Sequence, residues 1–350
     1  MKSFEPAYLA SLWVAPRAIR AINALGEFRG KQALWAQAKP EVLEHLLKVA
    51  IVESAESSSR LEQIVVGHHT LDRLLVKNEA PAMENRSQSE LAGYRDALKL
   101  IHESADAMPI TEGVVRQLHR ELMKYTPALG GDYKIGPNDI VERAANGRTL
   151  RVRFSTVQPI QVPDYMASLH GLFHATLEAG EIEPLLLVPL YVHDLLCIHP
   201  FSDGNGRIAR LMTVLLLRKL GYNAGRYISL ERTIEESKAT YYESLGASDV
   251  GWHEGKHDSS TFIEYIFGVA LSAYKELEES TSLNFAKGAK RIMIEEAVAA
   301  MPQTFRHADV AARLPLLKDK TIRASLQKLK ADGKIVSEGR GPAAYWRKIA

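Results

Sequence analysis

The chain has 350 residues, 46% hydrophobic, 25% charged and 7% aromatic, with a formal net charge of +2; these values exclude disordered, collagen-like and disulfide-stapled classes. Its one cysteine, Cys197, forbids an intramolecular disulfide and leaves no thiol cluster for a structural zinc, which predicts the reducing cytoplasm. The segment from Leu283 to Ala350 carries 14 Lys and Arg against 6 Asp and Glu, net +8, leaving 30 against 36, net −6, for the rest. That asymmetry points to a separate basic module with its own kind of partner.

In chain order, the apolar patch Tyr8 to Ala15 meets a proline and is flanked by Glu5, Arg17 and Arg20, which does not resemble a signal peptide. Helical patterns follow at Pro40 to Ile51 and at Glu90 to His102. Ile110 to Lys124 spaces Val114, Leu118 and Leu122 by four, with Glu112 early and Lys124 late, an amphipathic helix whose charges suit its dipole. Asp139 to Arg143 and Thr149 to Phe154 read as strands joined through Ala144 to Arg148, where Asn146-Gly147 is a turn pair, so a hairpin is expected. Inside a helical domain such a hairpin is a candidate functional flap.

Further helices are expected at Asp164 to Leu177, Pro184 to Ile198, Gly206 to Leu220, Glu236 to Ser244 and Ser260 to Glu279. The apolar runs Leu185 to Ile198 and Leu211 to Leu217, interrupted or bounded by His193, Asp194 and Arg218, are too short or too broken to span about 30 Å of hydrocarbon. They read as buried helices, with no membrane partner. A polar linker follows at Ser280 to Ser282, and then Ala286 to Ala300, Arg306 to Leu314, Lys320 to Asp332, Lys334 to Val336, a Gly339-Arg340-Gly341 turn and Ala344 to Ile349. Helix, helix, helix, hairpin is the order of a winged helix-turn-helix.

The richest stretch runs from His199 to Arg210 and fits H-P-F-x-D-G-N-G-R-x-x-R. A buried helix runs into His199, Pro200 fixes its exit, and Gly204-Asn205-Gly206 permits a tight turn opening another helix. Amides converging at a helix N-terminus bind anions. Arg207 and Arg210 offer planar forks for phosphate, Asp203 a hard oxygen for magnesium, and His199 a base for a hydroxyl proton.

These residues resemble the Fic (Fic/Doc) family in its adenylyltransferase form, with residues 40 to 275 covered more loosely than the motif. The resemblance implies ATP as substrate, Mg²⁺, and transfer of AMP to a Ser, Thr or Tyr hydroxyl of a target protein or of the chain itself. His199 is then the base, Asp203 holds the metal, and Gly204, Asn205, Gly206, Arg207 and Arg210 bind the nucleotide. Gly206, at which related phosphotransferases depart from the motif, favours AMP over phosphoryl transfer. Ser58 to Gln63 is similar to the family's inhibitory helix, [S/T]-x-x-x-E-[G/N], which implies an autoinhibitory Glu62 paired with Arg210; Gln63 stands where Gly or Asn is usual. The hairpin resembles the target-docking flap, with Ile140 and Val141 facing the target. Tyr241-Tyr242 resembles the adenine wall and Asp249 the base contact, although a tyrosine pair on a helix also suits a core.

His68-His69, His102, His119, His170, His174 and His193 show no zinc-ligand spacing. In the basic module Ile322, Leu326 and Leu329 form a core stripe that turns Lys320, Arg323, Gln327 and Lys328 outward. This is how a recognition helix meets DNA, with Arg340 on the wing; protein binding and dimer formation remain open for such a module. The expected fold is thus mainly α. It comprises an N-terminal helical region at 1–108 with the inhibitory helix at about 56–68, a Fic helical core with the flap at 109–280, and a winged helix at 284–350. The expected function is a Fic-type nucleotidyltransferase, with a homodimer as a further expectation. Alternatives are a DNA-binding regulator using the fold as a nucleotide sensor, and an enzyme that removes AMP or transfers another nucleotide-derived group.

Overall fold

The computed structural model describes residues 2–38, 40–64, 66, 74, 85–128, 130–143, 148–281, 294–295, 297–299, 301–314, 317, 319–338 and 345–349. The chain divides into two compact units, residues 1–38 with 43–275, and residues 39–42 with 276–350.

The centre of the first unit is α7 (Pro184–Ile198). All its residues after Pro184 are buried, as suits a helix apolar on every side. Pro184 occupies the first turn, where its missing N–H costs nothing, and Glu183 accepts from the Leu185 N–H at 3.3 Å. Around it pack α6 (Val162–Ala179) and α8 (Asn205–Lys219), and α8 meets α4 (Arg86–Ser104) and α5 (Glu112–Met123). The expected stripe on α5 is buried at Val114, Leu118 and Leu122, and Thr111 caps it by accepting from the Val114 N–H. Gly93 lets α4 and α5 touch, since a Cβ there would lie 2.0 Å from the Leu122 carbonyl oxygen. Residues before 109 therefore share a core with those after it.

Strands β1 (Ile140–Arg143) and β2 (Thr149–Phe154) pair antiparallel, Ile140 opposite Phe154 and Val141 opposite Val152. The expected turn pair Asn146-Gly147 lies outside the described residues, as do His68-His69. Phe154 anchors β2 by stacking on His253 at 5.2 Å and meeting the Trp252 edge at 6.0 Å.

Several boundaries differ from expectation. Within the expected N-terminal helical region, where no single helix was delimited before Pro40, the chain forms α1 (Pro6–Ser11) and α2 (Pro16–Ala38), each started by a proline. Helix α3 (Pro40–Leu61) continues ten residues past Ile51 and stops at Leu61, not near 68. The expected Glu236 to Ser244 helix is two, α10 (Leu230–Glu236) and α11 (Lys238–Asp249), with α9 (Ala224–Tyr227) before them. Ser237 divides them by turning its hydroxyl back to the Thr233 carbonyl at 2.7 Å, local bonding that competes with helix continuation. Helix α12 (Ser260–Thr281) follows.

The second unit contains β3 (Thr304–Phe305), α13 (His307–Arg313), α14 (Asp319–Ala331), β4 (Ile335–Glu338) and β5 (Tyr345–Lys348), with sheet order β3-β5-β4 and both pairings antiparallel. Ile322, Leu326 and Leu329 are buried on α14, and Lys320, Arg323, Gln327 and Lys328 are exposed. Arg340 with its turn, Ser282 and most of the expected helix Ala286 to Ala300 lie outside the described residues. Among the described residues no helix is long and apolar enough to cross a membrane.

Candidate active site

The turn between α7 and α8 is shaped by two left-handed residues. His199 ends α7 at φ 53° and Gly204 precedes α8 at φ 80°, the second conformation costing little without a Cβ. Asn205 closes the loop, accepting from the Phe201 N–H at 2.9 Å and donating to the Phe201 carbonyl at 2.7 Å. Since α8 has no side-chain cap, the N–H groups of its first turn are left for an anion.

His199 is supported from behind. Its Nδ1 lies 3.1 Å from the Leu196 carbonyl, so Nδ1 carries the proton and donates, leaving Nε2 as a bare acceptor. Burial lowers its pKa to about 4, so the imidazole is neutral at pH 7. Lys134, buried, donates from Nζ to Asn138, Thr156 and the Ile198 carbonyl at 2.6, 2.8 and 3.3 Å, and from its backbone to the Pro200 carbonyl. Asn138 donates to the Phe201 carbonyl at 2.6 Å, and Asp139 accepts from the Thr156 N–H at 3.0 Å. These bonds fix the base of the β hairpin to the turn bearing His199. His119 holds the other side: its Nδ1 accepts from the Gly131 N–H at 2.7 Å, so Nε2 donates to the Asp203 carbonyl at 3.1 Å. Its ring stacks on Phe201 at 3.8 Å.

A cavity of about 420 Å³ opens over this turn. Of the residues expected at the site, Glu62, Ile140, His199, Asp203, Gly204, Asn205, Gly206, Arg210, Tyr241, Tyr242 and Asp249 line it. Val141 does not line it. Neither does Arg207, whose side chain is 2% exposed and is held by Glu90 at 2.7 Å and Asp203 at 3.3 Å. Asp249 faces the cavity while its Oδ1 accepts from His193 Nε2 at 3.1 Å. Asn138, Asp139, Arg153, Leu196 and Leu245 also line the cavity, and no motif in the sequence singled them out. Asp203, its side chain 49% exposed, is a hard oxygen donor beside the amide nest, the donor chemistry that magnesium takes.

Glu62 reaches into the cavity from the end of α3, 2.7 Å from Arg210 Nη2. Arg210 is buried and also donates to the Ser58 hydroxyl at 3.0 Å and the Ser58 carbonyl at 3.2 Å. Burial opposes ionisation of the Glu62 carboxyl, and the Arg210 guanidinium outweighs it, leaving the pKa below the ordinary carboxylate range. Gly206 makes room: a Cβ there would lie 2.7 Å from Glu62 Oε1.

Gln63 closes the last turn of α3. Ile64 N–H donates to the Ser59 carbonyl at 2.9 Å and Gln63 N–H to the Arg60 carbonyl at 3.0 Å, the paired bonds of a Schellman motif. Gln63 sits at its left-handed position, φ 63°, where Gly and Asn are favoured because they tolerate that geometry. Behind it, Arg60 grips Glu235 on α10 through Nε at 2.5 Å and Nη2 at 2.9 Å.

A neutral histidine ending one buried helix, an uncapped N-terminus opening the next and a hairpin tied to the turn between them meet in one helical domain. Residues 109–217 match the family model described as Fic/DOC family, and this stretch carries a Fic/DOC domain. The chain is 26% identical over 218 residues to protein adenylyltransferase fic-1 of Caenorhabditis elegans, covering 58% of this chain and 38% of that protein; it thus spans well under half the length of that relative. Among solved structures, a Fic family protein from Desulfovibrio desulfuricans G20 aligns with TM-score 0.64 and 20% identity over 97% of each chain. A Fic domain containing signaling protein from Bacteroides thetaiotaomicron aligns with TM-score 0.61 and 24% identity, covering 74% of this chain and 96% of the other. At these identities the two structures speak to fold alone.

Proposed function

We propose that this chain is a protein adenylyltransferase restrained by its own Glu62. The observation that carries the reading is the neutral His199 sharing one cavity with an amide nest, Asp203 and a phosphate-seeking arginine already engaged by a carboxylate. In the reaction a target Ser, Thr or Tyr hydroxyl gives its proton to His199 Nε2 while its oxygen bonds to the α-phosphorus of ATP. The bond from that phosphorus to the oxygen bridging to the β-phosphate breaks, and pyrophosphate leaves. The α8 amides stabilise charge on the phosphates, and Arg210, once free, takes a terminal phosphate. Asp203 would hold magnesium, which supplies charge neutralisation on the phosphates. Ile140 at the cavity rim supports docking of the target beside β1, and Tyr242 with Asp249 supports a base-binding wall. Arg207, buried and paired, fits a role in setting Asp203 and the loop better than direct phosphate contact.

The test is ATP labelled at the α-phosphate, with Mg²⁺, offered to wild type, Glu62→Gly and Glu62→Gly combined with His199→Ala. Label on protein should rise at least about tenfold in Glu62→Gly, the scale of losing one buried charge-assisted contact, and vanish in the double variant. Equal or lower labelling in Glu62→Gly would reject the brake, and labelling that survives His199→Ala would reject the base.

A second reading concerns the basic unit. The exposed Lys320, Arg323 and Gln327 over a buried apolar stripe on α14 favour a winged helix that binds duplex DNA, so that catalysis and regulation coexist in one chain.

A further inference from the structure

Four side chains close a ring of alternating charge beside the cavity. Glu90 Oε1 meets Arg86 Nε at 2.5 Å and Glu90 Oε2 meets Arg207 Nη1 at 2.7 Å. Asp203 Oδ1 meets Arg207 Nη2 at 3.3 Å and Asp203 Oδ2 meets Arg86 Nη2 at 2.8 Å. Each carboxylate bridges both arginines and each guanidinium bridges both carboxylates. Both oxygens of Asp203 therefore already face a cation, and a third bond, from the Gly204 N–H at 2.6 Å, falls on Oδ1.

The two arginines are not equivalent. Arg207 is 2% exposed and Glu90 4%, so that pair is built into the core, whereas Arg86 is 75% exposed on the first turn of α4. A buried guanidinium cannot leave its partners without stranding a charge. An exposed one can turn into water at small cost, and Arg86 keeps Glu90 as an i,i+4 partner if it lets go of Asp203.

We infer that Arg86 is a stand-in cation on Asp203, and that a divalent metal ion takes its place by exchange on Oδ2. Arg207 and Glu90 stay as the fixed half of the ring and hold Oδ1. The inference rests on the reading of Asp203 as the metal-binding acid. It makes metal affinity a difference between two cations, set by a residue 117 positions away in sequence.

The experiment uses Mn²⁺ alone, titrated into the full chain, with the free-ion EPR signal reporting what is bound. Wild type, Arg86→Gln, Arg86→Lys and Asp203→Ala are compared. Arg86→Gln should tighten Mn²⁺ binding about two- to fivefold, the range expected from removing one half-exposed ion pair. Arg86→Lys, which restores a cation, should return toward wild type, and Asp203→Ala should abolish the site. Equal affinity in wild type and Arg86→Gln, with binding still lost in Asp203→Ala, overturns the exchange while leaving Asp203 as the metal acid. Binding that is absent throughout, or that survives Asp203→Ala, overturns the exchange and the reading of Asp203 together.

Discussion

At the scale of single residues, His199 shows how burial sets chemistry. A histidine in water is half charged near pH 6.5; here its pKa falls to about 4 through burial, with Lys134 adding to the shift and Glu62 and Asp203 opposing it. A depressed histidine pKa means the bare Nε2 is available at every pH above that value. Removing the Glu62 charge lowers the pKa further. Labelling by Glu62→Gly should therefore be flat from about pH 5.5 to 8, measured as initial rate at constant Mg²⁺; an acid limb near pH 6.5 would contradict this state of His199. Because Arg210 holds the Glu62 carboxyl below its usual range, Glu62 stays ionised through the same window, and the proposed brake should loosen only as pH falls through that depressed value.

Among elements, the end of α3 is where sequence and structure inform each other most. The departure at Gln63 was visible in the sequence, but its meaning came only with the left-handed φ of 63°. A non-glycine residue there is strained, so Gln63→Gly should raise unfolding stability by about 0.5–1 kcal/mol, read from the denaturant midpoint, and should lower rather than raise basal labelling by firming the turn that presents Glu62. An unchanged or lower midpoint would remove this account of the cap. The turn between α7 and α8 was legible from sequence because its parts are contiguous: proline exit, glycine turn and helix start follow one another. The partners of that turn were not. Glu90 and Arg86 lie 117 residues from the groups they bind, Lys134 lies 64 from the Ile198 carbonyl, and no local spacing marks such pairs. The bounds of α1 were not legible because its six residues are too few for a helical period to show, and the α10–α11 break was not because one serine hydroxyl decides it.

For the whole molecule, opposite charge in different stretches of chain carries the expectation. The tail holds net +8 against −6 elsewhere. If the exposed cations on α14 meet duplex DNA, affinity should fall steeply with salt, with a log–log slope of about −0.9 for each phosphate neutralised, and Lys320→Ala should make that slope shallower by about one. Fluorescence anisotropy across salt concentrations measures both; a flat response would assign the tail to protein contacts instead.

The Glu62–Arg210 pair lies within one chain, so a brake of the kind proposed for Glu62 would travel with its site at a fixed effective concentration. Neither dilution nor abundance can change its occupancy. ATP that seats only when Arg210 is released would compete with Glu62 by mass action, with an apparent affinity weakened by the fraction of chains in which Arg210 is free, and a change in the conformational preference of the last turn of α3 would move that fraction. An ATP dose–response curve should show this as a midpoint that shifts with mutations in that turn and stays fixed as protein concentration varies.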